Sequence, residues 1–208
     1  METLLTDTIS HSAQRVFNQV LEDLKLRLPK SVTYHNVRHT LDVVDTCKHY
    51  ISIYDLDDSI SELLLIAAVA HDYGFVISPT DHERRSSDLV SEIMVQHDFD
   101  QESIELVRGL IMATKIPQSP KTFFEEIIAD ADLDYLGRED YGVISATLFN
   151  ELKNFNNINS EKDWYDLQIK FLQGHTYFTE WAQRNRQPIK EERISILKEE
   201  RARRFGGY

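Results

Sequence analysis

The most apolar stretch of the chain is LLLIAAVA, residues 63–70, and His71 and Asp72 follow it directly. A helix formed by this stretch is apolar on nearly every side, so we expect it to lie at the centre of the protein. An imidazole and a carboxylate at the end of such a helix are costly to bury without partners. A metal cation would be a suitable partner. In the structural alternative, Asp72 caps a neighbouring helix and His71 is a hydrogen-bonded core histidine.

Apolar residues recur at intervals of three and four along the rest of the chain, a pattern that predicts helices and no prominent strand. Only seven glycines and five prolines interrupt the 208 residues. We therefore predict an all-α protein. The helices are expected at residues 8–28, 36–54, 58–74, 81–97, 101–115, 121–136, 139–155, 161–185 and 189–204.

Length and composition favour a single globular domain over residues 1–208, because 41% apolar residues can fill one sizeable core. No tract is long or biased enough to predict a linker between domains. Helices within about residues 34–137 would carry the candidate site described below, and the C-terminal helices within 139–204 would complete the bundle.

Charge and cysteine content exclude several classes of function. The formal net charge of -12 disfavours binding to a nucleic acid polymer or an anionic membrane, although a small anionic substrate remains compatible with it. Cys47 is the only cysteine, and the chain does not open with a signal peptide pattern, so we expect a cytoplasmic protein. The apolar run of residues 63–70 is shorter than the roughly 20 residues that cross a bilayer.

Two further motifs supply candidate metal ligands. The stretch YHNVRH, residues 34–39, places His35 and His39 four apart, and on a helix such residues share a face. In the alternative, His35 precedes the helix and caps it. Asp130 and Asp132 follow an apolar pair, although an acidic helix segment is often only a solvated face. Imidazoles and carboxylates from distant helices suit a divalent ion with open positions for water and substrate.

The order of these motifs, with His39 first, then His71-Asp72, then a late aspartate, resembles the metal-dependent phosphohydrolases of the HD domain superfamily. Residues 34–39 are similar to the stretch with which cyclic nucleotide phosphodiesterases begin their metal site. A closer likeness, covering most of the chain, is to a group of largely uncharacterised bacterial predicted HD hydrolases of about this length. It rests also on ERRSS at 83–87, ATK at 113–115, DADL at 130–133, LG at 136–137, KFL at 170–172 and YFT at 177–179.

The resemblance implies a helical bundle of the HD domain/phosphodiesterase-like type that binds one divalent metal ion: Mn, Fe, Ni, Co, Zn or Mg. The implied ligands are His39, His71, Asp72 and one of the two late aspartates. Asp130 is preferred because its spacing to the Leu-Gly pair at 136–137 suits the family better, and Asp132 is the alternative.

The implied reaction is hydrolysis of a phosphoester bond in a small phosphorylated substrate, with a nucleotide as the first candidate. A bound ion lowers the pKa of water from about 15.7 toward neutrality. Asp72 would orient or deprotonate that water, and His35 would act as the general acid. Candidate substrate-binding residues are Lys115, Arg38, Arg84, Arg85 and His82. For each arginine or lysine the alternative is an ordinary surface charge.

Three alternatives remain open at this point. His82 and Glu83 could begin a second metal site, but Ala113-Thr114-Lys115 stands where its last histidine is expected, so one ion is favoured over two. A di-iron oxygenase of the HD type would need that second ion. A noncatalytic module that binds a nucleotide or a partner protein would need no reaction at all. The sequence leaves a homodimer open.

Overall fold

The computed structural model describes residues 9–206, and every regular element in that range is helical, which confirms the all-α prediction. Two 3₁₀ turns, Tyr73–Val76 and Asp134–Gly137, accompany the α-helices. The start predicted for the first helix, Thr8, lies outside the described residues. The helices are α1 (His11–Arg27), α2 (Val37–Tyr54), α3 (Asp58–Ala70), α4 (His82–Gln96), α5 (Gln101–Ala113), α6 (Phe123–Asp132), α7 (Tyr141–Asn154), α8 (Glu161–Gly174), α9 (Glu180–Asn185) and α10 (Gln187–Phe205).

Contacts within the chain define two compact units that divide after Asp132. Among the described residues, the first unit comprises 9–132 with helices α1 to α6, and the second comprises 133–206 with helices α7 to α10. All the candidate metal ligands predicted from the sequence lie in the first unit. A single domain over residues 1–208 stays a prediction.

Helix α3 is the core of the first unit, as its apolar sequence predicts. Ten of its 13 residues are buried, and it contacts each of the other five helices of the unit. The segment Asp58–Val76 is long and apolar enough to span a membrane, but 83% of its apolar window is buried inside the protein. This burial is consistent with the core helix of a soluble protein, while the cytoplasmic location stays a prediction.

Several predicted helix ends were wrong, and the capping residues explain the differences. The structure has a break within the helix predicted at 161–185, because His175 is extended after Gly174 and the Thr179 hydroxyl caps α9 by accepting from the Ala182 N–H at 3.3 Å. The start of α2 agrees with the prediction: the helix begins at Val37, since the side chain of Asn36 accepts from the first free backbone N–H groups. His35 therefore lies before the helix.

Buried cations tie the second unit together. The guanidinium of Arg201 on α10 donates to Asp166 on α8 at 2.8 Å. The ammonium of Lys190 donates to the His175 carbonyl and lies 5.5 Å from the centroid of the Tyr177 ring. The Tyr177 hydroxyl in turn donates to the Leu133 carbonyl at 3.0 Å. These bonds hold the extended segment between α8 and α9 in place.

Gly74 allows the 3₁₀ turn after α3 to contact the first turn of α4. A Cβ atom at this position would lie 2.2 Å from the carbonyl oxygen of His82 and 2.9 Å from Cβ of Arg85, closer than such atoms can approach. The Gly74 N–H also donates to Ser86 Oγ at 2.7 Å. The position of His82 relative to the end of α3 thus depends on the absence of a Cβ atom at residue 74.

We predict that Gly74→Ala lowers the free energy of unfolding by about 1–3 kcal/mol, the usual cost of overpacking, because backbone must move to admit the methyl group. Urea denaturation followed by circular dichroism measures this change. Gly109→Ala is the matched control in the same unit: its Cβ meets only the end of the Glu125 side chain at 3.4 Å, and alanine favours helix by up to about 1 kcal/mol. An unchanged midpoint for Gly74→Ala would contradict the close approach.

Candidate metal centre

An imidazole and a carboxylate lie in the interior at the end of α3. His71 and Asp72 are 1% and 4% exposed. Nδ1 of His71 lies 2.8 Å from the Ala68 carbonyl oxygen, and because a carbonyl only accepts, Nδ1 must carry the hydrogen. In the neutral ring, Nε2 then presents a lone pair. In a typical metal-binding histidine, one ring nitrogen binds the metal and the other, here Nδ1, donates to a backbone carbonyl.

The first turn of α2 delivers a second imidazole. Oδ1 of Asn36 accepts from the N–H groups of Arg38 and His39 at 2.8 and 3.3 Å, which sets the start and the direction of the helix. The ring of His39 stacks against the ring of Tyr34, with centroids 4.6 Å apart. His39 is thereby held on one face while its Nε2 atom points to the end of α3.

Four side-chain atoms converge in the first unit. His71 Nε2 lies 3.1 Å from Asp72 Oδ2 and 3.3 Å from His39 Nε2. Oδ1 of Asp132 lies 3.2 Å from His39 Nε2 and 3.5 Å from His71 Nε2, and His39 Nε2 lies 3.5 Å from Asp72 Oδ2. Ligands about 2.0–2.1 Å from one ion are spaced about 3.0–3.4 Å apart. The atoms of His39, His71 and Asp72 therefore have about the spacing of ligands of one ion, and Asp132 Oδ1 lies beside the two imidazoles.

One atom of this cluster accepts no hydrogen bond within residues 9–206, although two imidazole nitrogens lie close to it. Asp72 Oδ2 is buried, and it has no hydrogen-bond partner among the described residues. Burial raises the pKa of Asp72, but the positive charges of His71 and His35 and the hydrogen bonding of His71 and His82 together outweigh it and hold that pKa well below its usual range. The carboxylate is thus kept charged inside the protein, where a cation would compensate it. His39, His71 and Asp72 form a buried group that could hold a metal ion.

The same carboxylates act on the imidazole of His71. Burial lowers the pKa of His71, whereas the charges of Asp72 and Asp132 raise it, and the result is a pKa of about 9. At neutral pH without a metal, a proton on His71 compensates part of the negative charge. Proton and metal ion would compete for the same lone pair, since ligands must be deprotonated to bind metal.

The preference for Asp130 as the fourth ligand stays a prediction. Asp132, the alternative, places its Oδ1 beside both imidazoles. Successive residues of an α-helix are about 100° apart, so residues two apart in α6 point to opposite sides. Asp130 is fully buried and leaves the helix axis in a different direction from Asp132. The apolar neighbours of both aspartates could not reveal which of them faces α2 and α3.

His35 lies near the site, but not on the helix face shared with His39 that the spacing of the two residues suggested. It precedes α2, so it does not share a helix face with His39, yet the two ring centroids lie 6.0 Å apart. Its ring stacks on the ring of Phe75 at 4.3 Å. A positive charge on His35 lowers the pKa of Asp72, which reflects how near the two side chains are.

His82 occupies the other side of the Asp72 carboxylate. Its Nε2 lies 3.3 Å from Asp72 Oδ1 and 3.5 Å from Glu83 Oε1, while its Nδ1 donates to the Pro79 carbonyl at 3.1 Å. Burial lowers the pKa of His82, but the hydrogen bond to Asp72 and the charges of Asp72 and Glu83 together outweigh burial, so the pKa is raised overall. Asp72 therefore faces the ligand cluster with one oxygen and His82 with the other.

The predicted substrate-binding cations lie around the start of α4, except for one. Lys115 Nζ lies 3.1 Å from Asp81 Oδ1, immediately before His82 in the chain, and the charges of Lys115, Arg84 and Arg85 lower the pKa of Asp81. Arg38 instead is exposed on the first turn of α2. The structure thus brings three cations together near His82.

Two aromatic residues of the site carry no recognisable motif of their own. Phe75 contacts both His35 and His82, and Tyr34 contacts both His35 and His39. Tyr34 belongs to the quoted 34–39 stretch, and Phe75 stands three residues after Asp72, but nothing in the spacing distinguishes them from core aromatics.

Comparison with known proteins identified no relative of this chain. No family model matches the chain, and no curated protein or solved structure matches it significantly. What is known of the candidate metal centre therefore comes from the geometry of its own residues.

Proposed function

We propose that this protein is a metal-dependent phosphohydrolase, which uses water to cleave a phosphoester bond of a small phosphorylated substrate such as a nucleotide. The observation that carries the proposal is the convergence of the Nε2 atoms of His39 and His71 on two carboxylate oxygens, Asp72 Oδ2 and Asp132 Oδ1, at 3.1–3.5 Å. Asp72 Oδ2 is buried and accepts no hydrogen bond among the described residues. His39, His71, Asp72 and Asp132 would hold one divalent ion.

The bound ion would supply a Lewis acid and water of lowered pKa. The protein supplies the proton acceptor and the proton donor. Asp72 Oδ1 faces away from the ligand cluster and toward His82, so it can accept one proton from the attacking water and share it with that imidazole. The new bond joins the water oxygen to phosphorus, and the bond from phosphorus to the leaving oxygen breaks.

His35 is suited to protonate the leaving oxygen. It is half-buried beside the cluster, and the stacking of its ring on Phe75 leaves it close to Asp72. A positioned general acid typically contributes about 10²- to 10⁴-fold to a rate. One proton leaves the water for Asp72 and another leaves His35 for the product alcohol, so the protons balance.

The cations near Asp81 are suited to bind the charged groups of the substrate. Lys115, Arg84 and Arg85 surround a single exposed carboxylate, with which an anionic substrate would compete. Local positive charge of this kind allows an acidic protein to bind phosphate. Arg38, on the exposed side of α2, could act only on a longer substrate.

One observation favours a second candidate, a two-ion enzyme such as a di-iron oxygenase. Asp72 Oδ1, His82 Nε2 and Glu83 Oε1 lie together on the far side of the carboxylate. Metal analysis with electron paramagnetic resonance distinguishes the candidates: one ion per chain supports the phosphohydrolase, whereas two coupled irons under air support the oxygenase.

The central experiment is a hydrolysis panel. Nucleoside mono-, di- and triphosphates, cyclic nucleotides and p-nitrophenyl phosphate are offered to the metal-free protein with Mn²⁺, Co²⁺, Ni²⁺, Mg²⁺ or Fe²⁺. We expect release of phosphate or of the alcohol only after metal is added. Asp72→Ala should abolish both metal binding and hydrolysis with helical content retained by circular dichroism. Full activity of this variant would refute the site.

We predict that Asp132→Asn weakens metal binding by at least about tenfold, because a charged ligand beside both imidazoles is replaced by a neutral one. Asp130→Asn is the matched control, two residues earlier on the same helix, and should bind metal as the wild type does. Titration calorimetry with Zn²⁺ measures both affinities. If Asp130→Asn loses the metal and Asp132→Asn keeps it, the assignment of the fourth ligand is wrong.

For His35→Ala we expect turnover to fall by about 10²-fold or more while the bound metal is unchanged, since a general acid is removed and no ligand. Steady-state kinetics with the best substrate of the panel, together with metal analysis of the same preparation, measures the two effects. Loss of the metal would instead identify His35 as a ligand.

A further inference from the structure

The ring of Phe75 contacts two histidines that approach Asp72 from different parts of the chain. The ring of His35 is nearly parallel to it, with centroids 4.3 Å apart and planes at 17°. The ring of His82 lies 4.4 Å from it at 45°. The two imidazole centroids are 5.9 Å apart. A single side chain is therefore in contact with both of the histidines that flank the ligand cluster.

Phe75 is itself firmly placed relative to Asp72. It is 4% exposed, and its N–H donates to the Asp72 carbonyl at 3.0 Å within the 3₁₀ turn. The neighbouring Gly74 N–H donates to Ser86 on α4. One short turn thus carries both the carboxylate and the ring against which the two imidazoles rest.

A second aromatic ring also contacts His35. Tyr34 meets His35 edge-on, with centroids 4.6 Å apart and planes at 87°, and its own face stacks on His39. Face and edge contacts are the two favoured arrangements of aromatic rings. With two rings in contact, the imidazole of His35 can turn little about its side-chain torsions.

We propose that Phe75 is a positioning residue, which sets the ring orientations of His35 and His82 on the two sides of Asp72. The consequence for catalysis rests on the proposed phosphohydrolase function: His35 delivers its proton to the leaving oxygen only when its ring is held at the correct angle. Phe75 touches neither water nor substrate in this role. Its contribution should appear in turnover, with metal binding unaffected.

The orientation is tested without any substrate by NMR of the histidine ring protons. Protons above an aromatic face resonate upfield, so Phe75→Leu should move the His35 and His82 ring resonances downfield, whereas Phe75→Tyr should keep them near the wild-type positions. Phe75→Met, a flexible apolar replacement, serves if the leucine variant does not fold. Phe17→Leu, a buried aromatic of α1 outside the stack, is the matched control and should move neither histidine.

In the wild type, nuclear Overhauser contacts should join the Phe75 ring to both imidazoles. Absence of those contacts would overturn the inference, as would unchanged histidine resonances in Phe75→Leu or Phe75→Met. These measurements stand whether or not the protein hydrolyses a phosphoester. An inactive wild type would count against the proposed function alone.

Steady-state kinetics then measure the effect of Phe75 on turnover. We expect kcat of Phe75→Leu to fall about tenfold with KM and metal content unchanged, since misplacement of a catalytic group by about 1 Å can cost up to about 10²-fold. Phe75→Tyr should restore most of the rate, and His35→Ala combined with Phe75→Leu should be no slower than His35→Ala alone. A further tenfold loss in that double variant would show that Phe75 does not act through His35.

Discussion

The charge of Asp72 at the end of the most buried helix is the constraint around which the first unit is arranged. A carboxylate in that place is costly unless other groups compensate it, and one of its oxygens has no hydrogen-bond partner among the described residues. Imidazoles from α2 and from the end of α3 approach that oxygen, and His82 approaches the other one. Stability alone would favour an apolar residue there, so retention of the charge points to binding.

The neighbouring elements meet at this point because of local features of the backbone. Asn36 starts α2 just before His39, so that the first turn of the helix points its imidazole inward. Gly74 has no Cβ atom, which lets the turn after Asp72 pack against the backbone of His82. Helix α6 ends at Asp132, and its last residue faces both imidazoles. An Asn cap, a glycine and a helix end therefore position side chains that are distant in sequence.

Much of this could be predicted from the sequence, because it depends on periodicity and on the cost of burial. The all-helical fold and the central place of α3 follow from where apolar residues recur, and the His71-Asp72 pair stands out because it interrupts the most apolar segment. The choice between Asp130 and Asp132 could not be predicted in this way. It depends on the rotation of α6 about its axis, which packing against other helices sets, and both aspartates have similar apolar neighbours.

The breaks between helices were harder to predict than the helices themselves. The segment 161–185 keeps an apolar pattern through residues 175–179, so periodicity predicts one helix, whereas the Thr179 cap and the Lys190 bond to the His175 carbonyl favour an extended link. The stacking of His35 on Phe75 could not be predicted from periodicity either, since the two residues are 40 positions apart and a ring contact leaves no pattern along the chain.

The two oxygens of Asp72 give a physical reason why binding and proton transfer can be separated in one small site. Oδ2 lies with His39 and His71 in the nearly dry interior, where the electrostatic attraction for a cation is strong. Oδ1 lies toward His82, whose side chain is 20% exposed, so protons on that side can exchange with solvent. A cation bound at the first oxygen would lower the basicity of the second, and His82 would take up the proton that the second oxygen accepts from water. The carboxylate therefore transmits the effect of the inner ligands to the side on which water and substrate would react.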